Sequence, residues 1–191
     1  MIFAQHHSGS LVDAARSVEG VLLLGRLGQG AGLLNDVLAA AAAESGLPAS
    51  RDELHGYDCL RPLSAAAVWL GASEVPQDAG RFDVVVVLDQ AASSVAYRLV
   101  KPSGRILLPY SETMYPIASR FAAGTGWQSF LQSQQASIGY LAGCLSGCTS
   151  LPEQAWHVAL DNCLRPRDRR SAAKEFAVGR RETSQLPTSR L

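Results

Sequence analysis

The sequence contains little charge, and the charge that it has is balanced. Asp, Glu, Lys and Arg make up 18% of the residues, with 17 acids against 17 bases. Such a chain lacks the strongly positive field that attracts nucleic acids, so we expect no nucleic acid among its partners. Hydrophobic residues make up 47% of the 191 residues, which is enough for one substantial core and predicts a compact globular protein.

Long hydrophobic runs and a secretion signal are also missing. The first residues, from Met1 to His7, lack the basic start and the apolar stretch of a signal peptide. No apolar run reaches the length that is needed to cross a bilayer. The sequence therefore predicts a soluble, cytoplasmic protein that does not enter a membrane.

Cysteine is scarce, and its spacing does not match a metal site. The four cysteines form neither a Cys-x-x-Cys pair nor an iron–sulfur run, and they are Cys59, Cys144, Cys148 and Cys163. A chain of this size and apolar content does not need disulfide bonds, so we expect reduced thiols. Cys144 and Cys148 are four residues apart, and we interpret them as small packing residues on one face of a helix.

The chain is predicted to form one domain with a short extension at each end. Residues 1–17 are polar and mixed, and we interpret them as a loose lead-in, because His6 and His7 have no third metal ligand at matching spacing. Residues 18–180 form the predicted α/β domain. Residues 181–191 are rich in Ser, Thr and Arg and predict a flexible tail.

What the sequence does contain is a glycine-rich turn after its first apolar run. Residues 18–24 predict a buried strand, and Gly25, Gly28 and Gly30 then break the run before a long Ala and Leu segment. Glycine lets the backbone approach a ligand, and the helix that follows presents unpaired N–H groups and the positive end of its dipole. Such a turn suits an anion. The alternative, that the glycines only permit a sharp reversal from strand to helix, stays open.

The spacing of these glycines differs from two common nucleotide-binding motifs. From Gly25 the order is Gly-x-x-Gly-x-Gly, whereas a dinucleotide fingerprint needs Gly-x-Gly-x-x-Gly. No Lys-Ser or Lys-Thr pair follows, so the turn is not a Walker loop either.

Strands and helices alternate along the first 109 residues. Helices are predicted at 32–45 and 91–100, a turn at 101–104, and strands at 18–24, 49–54, 64–70, 82–89 and 105–109. The strand at 82–89 contains four consecutive valines and should lie near the centre of the sheet, buried on both faces. Asp89 follows it, where it either caps the next helix or contacts a ligand. The alternation predicts an α/β fold, a doubly wound and mainly parallel sheet with helices on both faces.

The last third of the chain predicts helices. Apolar residues recur along 127–145, which predicts a long helix, and 152–164 and 171–179 predict two more. The basic run at 165–170 is interpreted as a solvated loop between them.

Over residues 18–180, the order of these segments resembles the gamma domain of the 2-oxoacid:ferredoxin oxidoreductases, which are the pyruvate, ketoisovalerate and indolepyruvate enzymes. That domain opens with a strand and a Gly-x-Gly-Gly-Gln-Gly turn. The turn is matched here by Gly25, Gly28, Gln29 and Gly30, and Leu27 stands in place of the second glycine.

A second motif of the family, Glu-x-His-Gly followed by Arg-Gly-Gly, has a counterpart as well. Glu53 precedes His55 and Gly56 at the family's spacing, and Arg61 follows them. Pro and Leu at 62–63 replace the pair of glycines, so the backbone of this loop is stiffer than in the family.

The resemblance implies a subunit of a larger enzyme. In that family the thiamine diphosphate and the iron–sulfur clusters belong mainly to other domains, while the gamma domain packs over the assembly and is implicated in the site for coenzyme A or substrate. By resemblance, this chain would bind no cofactor alone, would assemble with the other oxidoreductase subunits, and would help to bind a pyruvate-like or indolepyruvate-like 2-oxoacid or coenzyme A. The binding residues so implied are Gly25, Gly28, Gln29, Gly30, His55, Gly56 and Arg61.

Two other hypotheses stay open. One is a scaffold subunit that keeps the fold and has lost the chemistry. The other is a transferase that depends on S-adenosylmethionine or a nucleotide, suggested by the strand at 82–84 and the segment at 99–105. Against the second hypothesis, the segment after the first helix offers no clear strand ending in an acid that would bind ribose hydroxyls.

Overall fold

The computed structural model describes residues 18–26, 28–53, 63–77, 80–109, 127–131 and 137–184. Six strands form one sheet, and they are β1 (Glu19–Gly25), β2 (Ala49–Glu53), β3 (Ser64–Leu70), β4 (Phe82–Val87), β5 (Val100–Pro109) and β6 (Trp127–Leu131). The helices are α1 (Ala31–Glu44), α2 (Ser93–Leu99), α3 (Ile138–Ser146), α4 (Glu153–Cys163) and α5 (Pro166–Ser184). A short 3-10 turn, Gln90–Ala92, precedes α2.

The sheet is mixed but mainly parallel, as the sequence predicts. Its strand order is β2-β3-β1-β4-β5-β6. β1, β4, β5 and β6 run parallel to one another, while β3 is antiparallel to both of its neighbours. The valine-rich strand β4 lies next to β1 in the interior of the sheet, which confirms its predicted central position.

Helices cover both faces of this sheet, and consecutive residues of β1 point into different cores. Val21 and Leu23 pack on the side of α1, α3, α4 and α5, where Trp156 of α4 is fully buried. Leu22 and Leu24 pack on the opposite side, toward α2. Because neighbouring residues of a strand face opposite sides, β1 must be apolar throughout. The predicted α/β fold with helices on both faces is confirmed.

The predicted turn at 101–104 is wrong, because these residues form a bulge within β5. The pairing with β4 shifts from Phe82 opposite Val100 to Val84 opposite Arg105. A Cβ on Gly104 would lie 2.9 Å from the carbonyl oxygen of Asp83, so glycine is needed for the close approach of the two strands. A bulge and a turn use similar residues, which is why the sequence suggested a turn.

The predicted helix over 127–145 is correct only in its second half. Residues 127–131 form β6, which pairs with β5. α3 begins at Ile138, where Ser137 caps the helix and its Oγ accepts a hydrogen bond from the amide of Tyr140. A short apolar segment fits a strand as well as a helix, and here the hydrogen bonds that β5 offers at the edge of the sheet favour the strand. Cys148 lies beyond the end of α3, so it does not share a helix face with the buried Cys144.

The interpretation of the basic run as a loop is also wrong. α5 begins at Pro166, includes the basic residues up to Arg170 and continues to Ser184. Proline is favoured in the first helical turn, so Pro166 starts this helix rather than breaking it. Residues 181–184 of the predicted tail are therefore helical. None of the helices in the described part of the chain is both long and apolar enough to cross a membrane.

Candidate functional site

The glycine-rich turn lies at the point where the chain changes direction across the sheet. β1 and β4 are parallel neighbours, and the chain leaves β1 for α1 on one face and β4 for α2 on the other. A crevice outside the carboxyl ends of two such strands is where open α/β sheets bind ligands. The fold therefore brings Gly25, Gly28, Gly30 and Asp89 together at one edge, which we call the switch edge.

Two glycines of the turn have a backbone that other residues rarely adopt. Gly28 has φ 89° and Gly30 has φ 86°. Gly30 is also the residue at the N-cap of α1, where no side chain accepts a hydrogen bond, and the first turn of the helix has no acidic residue. The positive end of the α1 dipole is thus not neutralised by a cap or an acid of its own helix.

Asp89 connects the turn to β4. Its Oδ2 accepts a hydrogen bond from Gln29 Nε2 at 3.1 Å and pairs with Arg26 Nε at 2.9 Å. Its Oδ1 accepts a hydrogen bond from the amide of Ala91 at 2.9 Å, which caps the 3-10 turn before α2. The capping role that the sequence allowed for Asp89 is present, and the same carboxylate also holds two side chains of the glycine turn.

Arg26 is the charged residue of the switch edge that motif comparison misses. Its side chain is 59% exposed, although Asp89 fixes its Nε, and its backbone amide donates to Gln29 Oε1 at 2.7 Å. Arg26 occupies a variable position between two motif glycines, so the spacing of the motif says nothing about it. No local pattern in the sequence identifies it, because its partner Asp89 follows a different strand.

Gly25 is required for packing as well as for the turn. A Cβ there would lie 2.9 Å from Gln29 Oε1 and 3.0 Å from the Cβ of Leu88. The carbonyl of Gly25 accepts a hydrogen bond from Ser64 Oγ at 3.1 Å. Any larger residue would push the turn away from the end of β4.

The remaining predicted site residues, His55, Gly56 and Arg61, lie outside the described residues. The described strand ends on either side of these residues lie at the same edge of the sheet as the glycine turn. β2 ends at Glu53 on the same side of the sheet as the end of β1, and β3 starts where Ser64 pairs with Gly25.

A polar cavity of about 360 Å³ lies between α1 and β2, beside the first turn of α1. It is lined by Gly32, Asn35, Asp36, Arg51 and Asp52. Arg51 pairs with Asp36 at 2.8 Å. Asn35 is buried, and its Oδ1 has no hydrogen-bond partner among the described residues.

Two groups with raised pKa values, Glu19 and Cys144, lie away from the switch edge. Burial raises the pKa of Glu19, which is at the opposite end of β1 and accepts hydrogen bonds from Ser150. Burial also raises the pKa of the Cys144 thiol to about 12. In the described ranges, no group of three or more His, Cys, Asp or Glu side chains is placed to hold a metal ion.

Solved structures share this fold. The chain is similar to the pyruvate oxidoreductase subunit PORC of Thermotoga maritima, with 20% identity and a TM-score of 0.65 over 87% of this chain and 97% of that one. It is similar to the gamma subunit of a keto/oxoacid ferredoxin oxidoreductase from Geobacter sulfurreducens, with 16% identity and a TM-score of 0.69 over 88% and 99% of the two chains.

A larger chain contains the same fold as a part. The 2-oxoglutarate:ferredoxin oxidoreductase of Magnetococcus marinus matches with 15% identity and a TM-score of 0.68 over 91% of this chain and 32% of that one. No family model and no curated protein matches the sequence. The chain thus has the fold of the gamma subunits of 2-oxoacid ferredoxin oxidoreductases, the family that its motifs resemble.

Proposed function

We propose that this chain is a gamma-type subunit of a thiamine diphosphate- and ferredoxin-dependent 2-oxoacid oxidoreductase. It contributes to the binding of coenzyme A or substrate and to assembly, and it is not catalytic alone. The observation that carries the proposal is the glycine turn at the switch edge of a sheet with the gamma-subunit fold. The glycine motif and its position in the fold both support a binding site at this edge.

The ligand would bind at this edge through an anionic group, a phosphate of coenzyme A or a carboxylate. The amides after Gly28 lie at the positive end of α1, and the exposed guanidinium of Arg26, whose Nε is paired with Asp89, lies beside them with further N–H donors. Arg61 would add a second guanidinium, because planar N–H groups match phosphate and carboxylate oxygens. The binding residues of the proposal are Gly25, Gly28, Gln29, Gly30, His55, Gly56 and Arg61, with Arg26 added from the structure.

The partners of the proposal are the other subunits of a cytoplasmic complex. They would hold the thiamine diphosphate and the iron–sulfur clusters, and the substrate would be a pyruvate-like or indolepyruvate-like 2-oxoacid. The Magnetococcus enzyme was solved with 2-oxoglutarate, coenzyme A and succinyl-CoA bound, which supports a ligand set of this class.

The test is to isolate the tagged chain from its own cells, identify the proteins that accompany it, and titrate the complex with coenzyme A by calorimetry. Arg61→Ala and Arg26→Ala should each weaken binding by about tenfold, because a charge-assisted hydrogen bond contributes about 1.5 kcal/mol. Arg98→Ala is the control, since Arg98 is exposed on α2. Equal affinity in all variants, or no binding in the complex, would favour the scaffold hypothesis.

A further inference from the structure

The outer face of α5 is a basic stripe. The helix buries Ala172, Phe176 and Thr183 against the core. At 100° per residue, the side opposite these residues carries four exposed cations in a row, Arg167, Arg170, Lys174 and Arg181. Val178 lies between them and is 46% exposed.

Two of the three acids in the described part of α5 do not neutralise this stripe, because they are turned toward α3 and its N-cap residue. Glu175 accepts a hydrogen bond from Ser137, and Glu182 accepts one from the hydroxyl of Tyr140. Asp168 pairs with Arg167 at 3.6 Å. Among the described residues, Arg170, Lys174 and Arg181 form no ion pair.

Helix stability does not explain the stripe. Arg170 and Lys174 are four residues apart, and like charges at this spacing destabilise a helix by about 0.2–0.5 kcal/mol. Arg167 lies in the first turn, where the positive end of the dipole disfavours a cation. Arg181 lies in the last turn, where the dipole favours a cation, so the cost in stability falls on the N-terminal half of the stripe, and a binding partner would recover it.

We propose that this stripe docks onto an acidic face of a partner protein, with Val178 against an apolar centre. From Arg170 to Arg181 the stripe is about 16 Å long, which suits carboxylates spaced along one protein surface. A membrane-bound helix would bury Trp, Phe or Leu, whereas Val178 is the large apolar residue exposed on the described part of α5. A chain with net charge 0 also lacks the broad positive field of a nucleic-acid binder.

The partner's chemistry follows from the stripe, while its identity as an oxidoreductase subunit rests on the proposed function. Carbodiimide cross-linking tests the chemistry directly, because it joins an amine to a carboxylate that is in contact with it. The two lysines of the sequence are Lys101 and Lys174. Lys101 is bound to Asp83 at 2.8 Å and serves as the internal control.

In the complex isolated from native cells, we expect Lys174 to be linked to an Asp or Glu of another protein. The link should disappear at about 1 M salt, where the Debye length is about 3 Å. The variant Arg170→Glu/Arg181→Glu keeps Lys174 and should reduce both the link and the association at least tenfold. The variant Arg81→Glu/Arg98→Glu has the same change in charge at exposed positions off the stripe and should behave as the wild type.

The outcomes separate this proposal from the proposed function. A salt-sensitive Lys174 link that the stripe variant loses supports the docking surface, whichever protein is joined. If that protein is not an oxidoreductase subunit, the proposed function fails and the surface stands. Absence of a link from Lys174 to another protein, full association of the folded stripe variant, or association that nuclease or detergent removes would overturn the docking surface. If the stripe variant does not fold, the salt dependence of the wild-type link decides.

Discussion

Glycine has opposite roles in two regions of this molecule. At the switch edge, a Cβ on Gly28 would have no atom of the described residues within 4 Å. Where α3 crosses α5, a Cβ on Gly143 would lie 2.2 Å from the carbonyl oxygen of Phe176, and one on Gly179 would lie 2.1 Å from that of Tyr140. The first region needs glycine for its backbone conformation, and the second needs it because two helices are in backbone contact.

The difference shows what a glycine in a sequence can indicate. Among the described residues, the space at Gly28 is open, whereas the space in the helix pair is already filled by the protein. The recognisable glycine motif is at the turn, but the glycines of α3 and α5 make closer contacts with backbone atoms. Substitution by alanine separates the two roles.

The largest effect is expected for Gly143→Ala. The added methyl group would meet the backbone of α5 rather than a movable side chain, so α3 and α5 would have to separate. Overpacking of this kind costs about 3 kcal/mol of unfolding free energy or more. Urea denaturation followed by circular dichroism measures it, and a loss below about 1 kcal/mol would show that the helix pair is looser than described.

The next effect is expected for the turn, where Gly30→Ala should cost about 2 kcal/mol. It combines a left-handed backbone with a contact, because its Cβ would lie 3.0 Å from Cδ1 of Ile138. Gly28→Ala has the same backbone conformation without the contact and should cost about 1 kcal/mol. The same denaturation series applies, and equal losses in both variants would remove Ile138 from the explanation.

The sequence predicted the strands and helices whose residues are favourable in only one kind of structure. Four consecutive valines are stable in a central strand, and so β4 was predicted near its true position. β6 was not predicted, because the apolar residues of 127–131 fit the period of a helix as well as that of a strand. Pairing with β5 makes this segment a strand. The start of α5 was not predicted, because its basic residues are mostly exposed and show no apolar period. They become helical because Phe176 and Gly179 dock onto α3.

The candidate site was predictable only in part for a similar reason. The glycine spacing locates the turn, since the requirement for positive φ is local to the backbone. The contact of Arg26 with Asp89 joins residues far apart in the chain, and it depends on β1 and β4 being neighbours. Strand order is a property of the whole sheet, so no local pattern could show it.

Close packing of the helix pair should also make stability depend on pH. Burial against α5 raises the pKa of Cys144 from 9.0 to about 12, and its thiol donates to the carbonyl of Gly179. A thiol whose pKa is higher in the folded state contributes stability below about pH 9 and loses it as the pH rises toward about 12.

Between about pH 8 and pH 10, the unfolding free energy of the wild type should therefore fall by about 1 kcal/mol more than that of Cys144→Ala. Parallel denaturation curves at both pH values measure the difference. The comparison with Cys144→Ala removes the contribution of the other thiols, including Cys148, whose pKa is also raised by burial. Identical pH dependence in the two proteins would indicate that water reaches the thiol between the helices.

The smallest effect, and one of opposite sign, is expected for Gly32→Ala. Gly32 lies in the first turn of α1, its φ is not positive, and a Cβ there would have no atom of the described residues within 4 Å. Alanine is the better helix former and has less conformational freedom in the unfolded chain, so the substitution should raise the unfolding free energy by about 0.5 kcal/mol. It is the matched control for Gly143→Ala, because both place a methyl group on a helical glycine. A loss of stability at Gly32 would mean that the cavity beside α1 is tighter than its walls suggest, and the contrast between open and filled glycine sites would no longer hold.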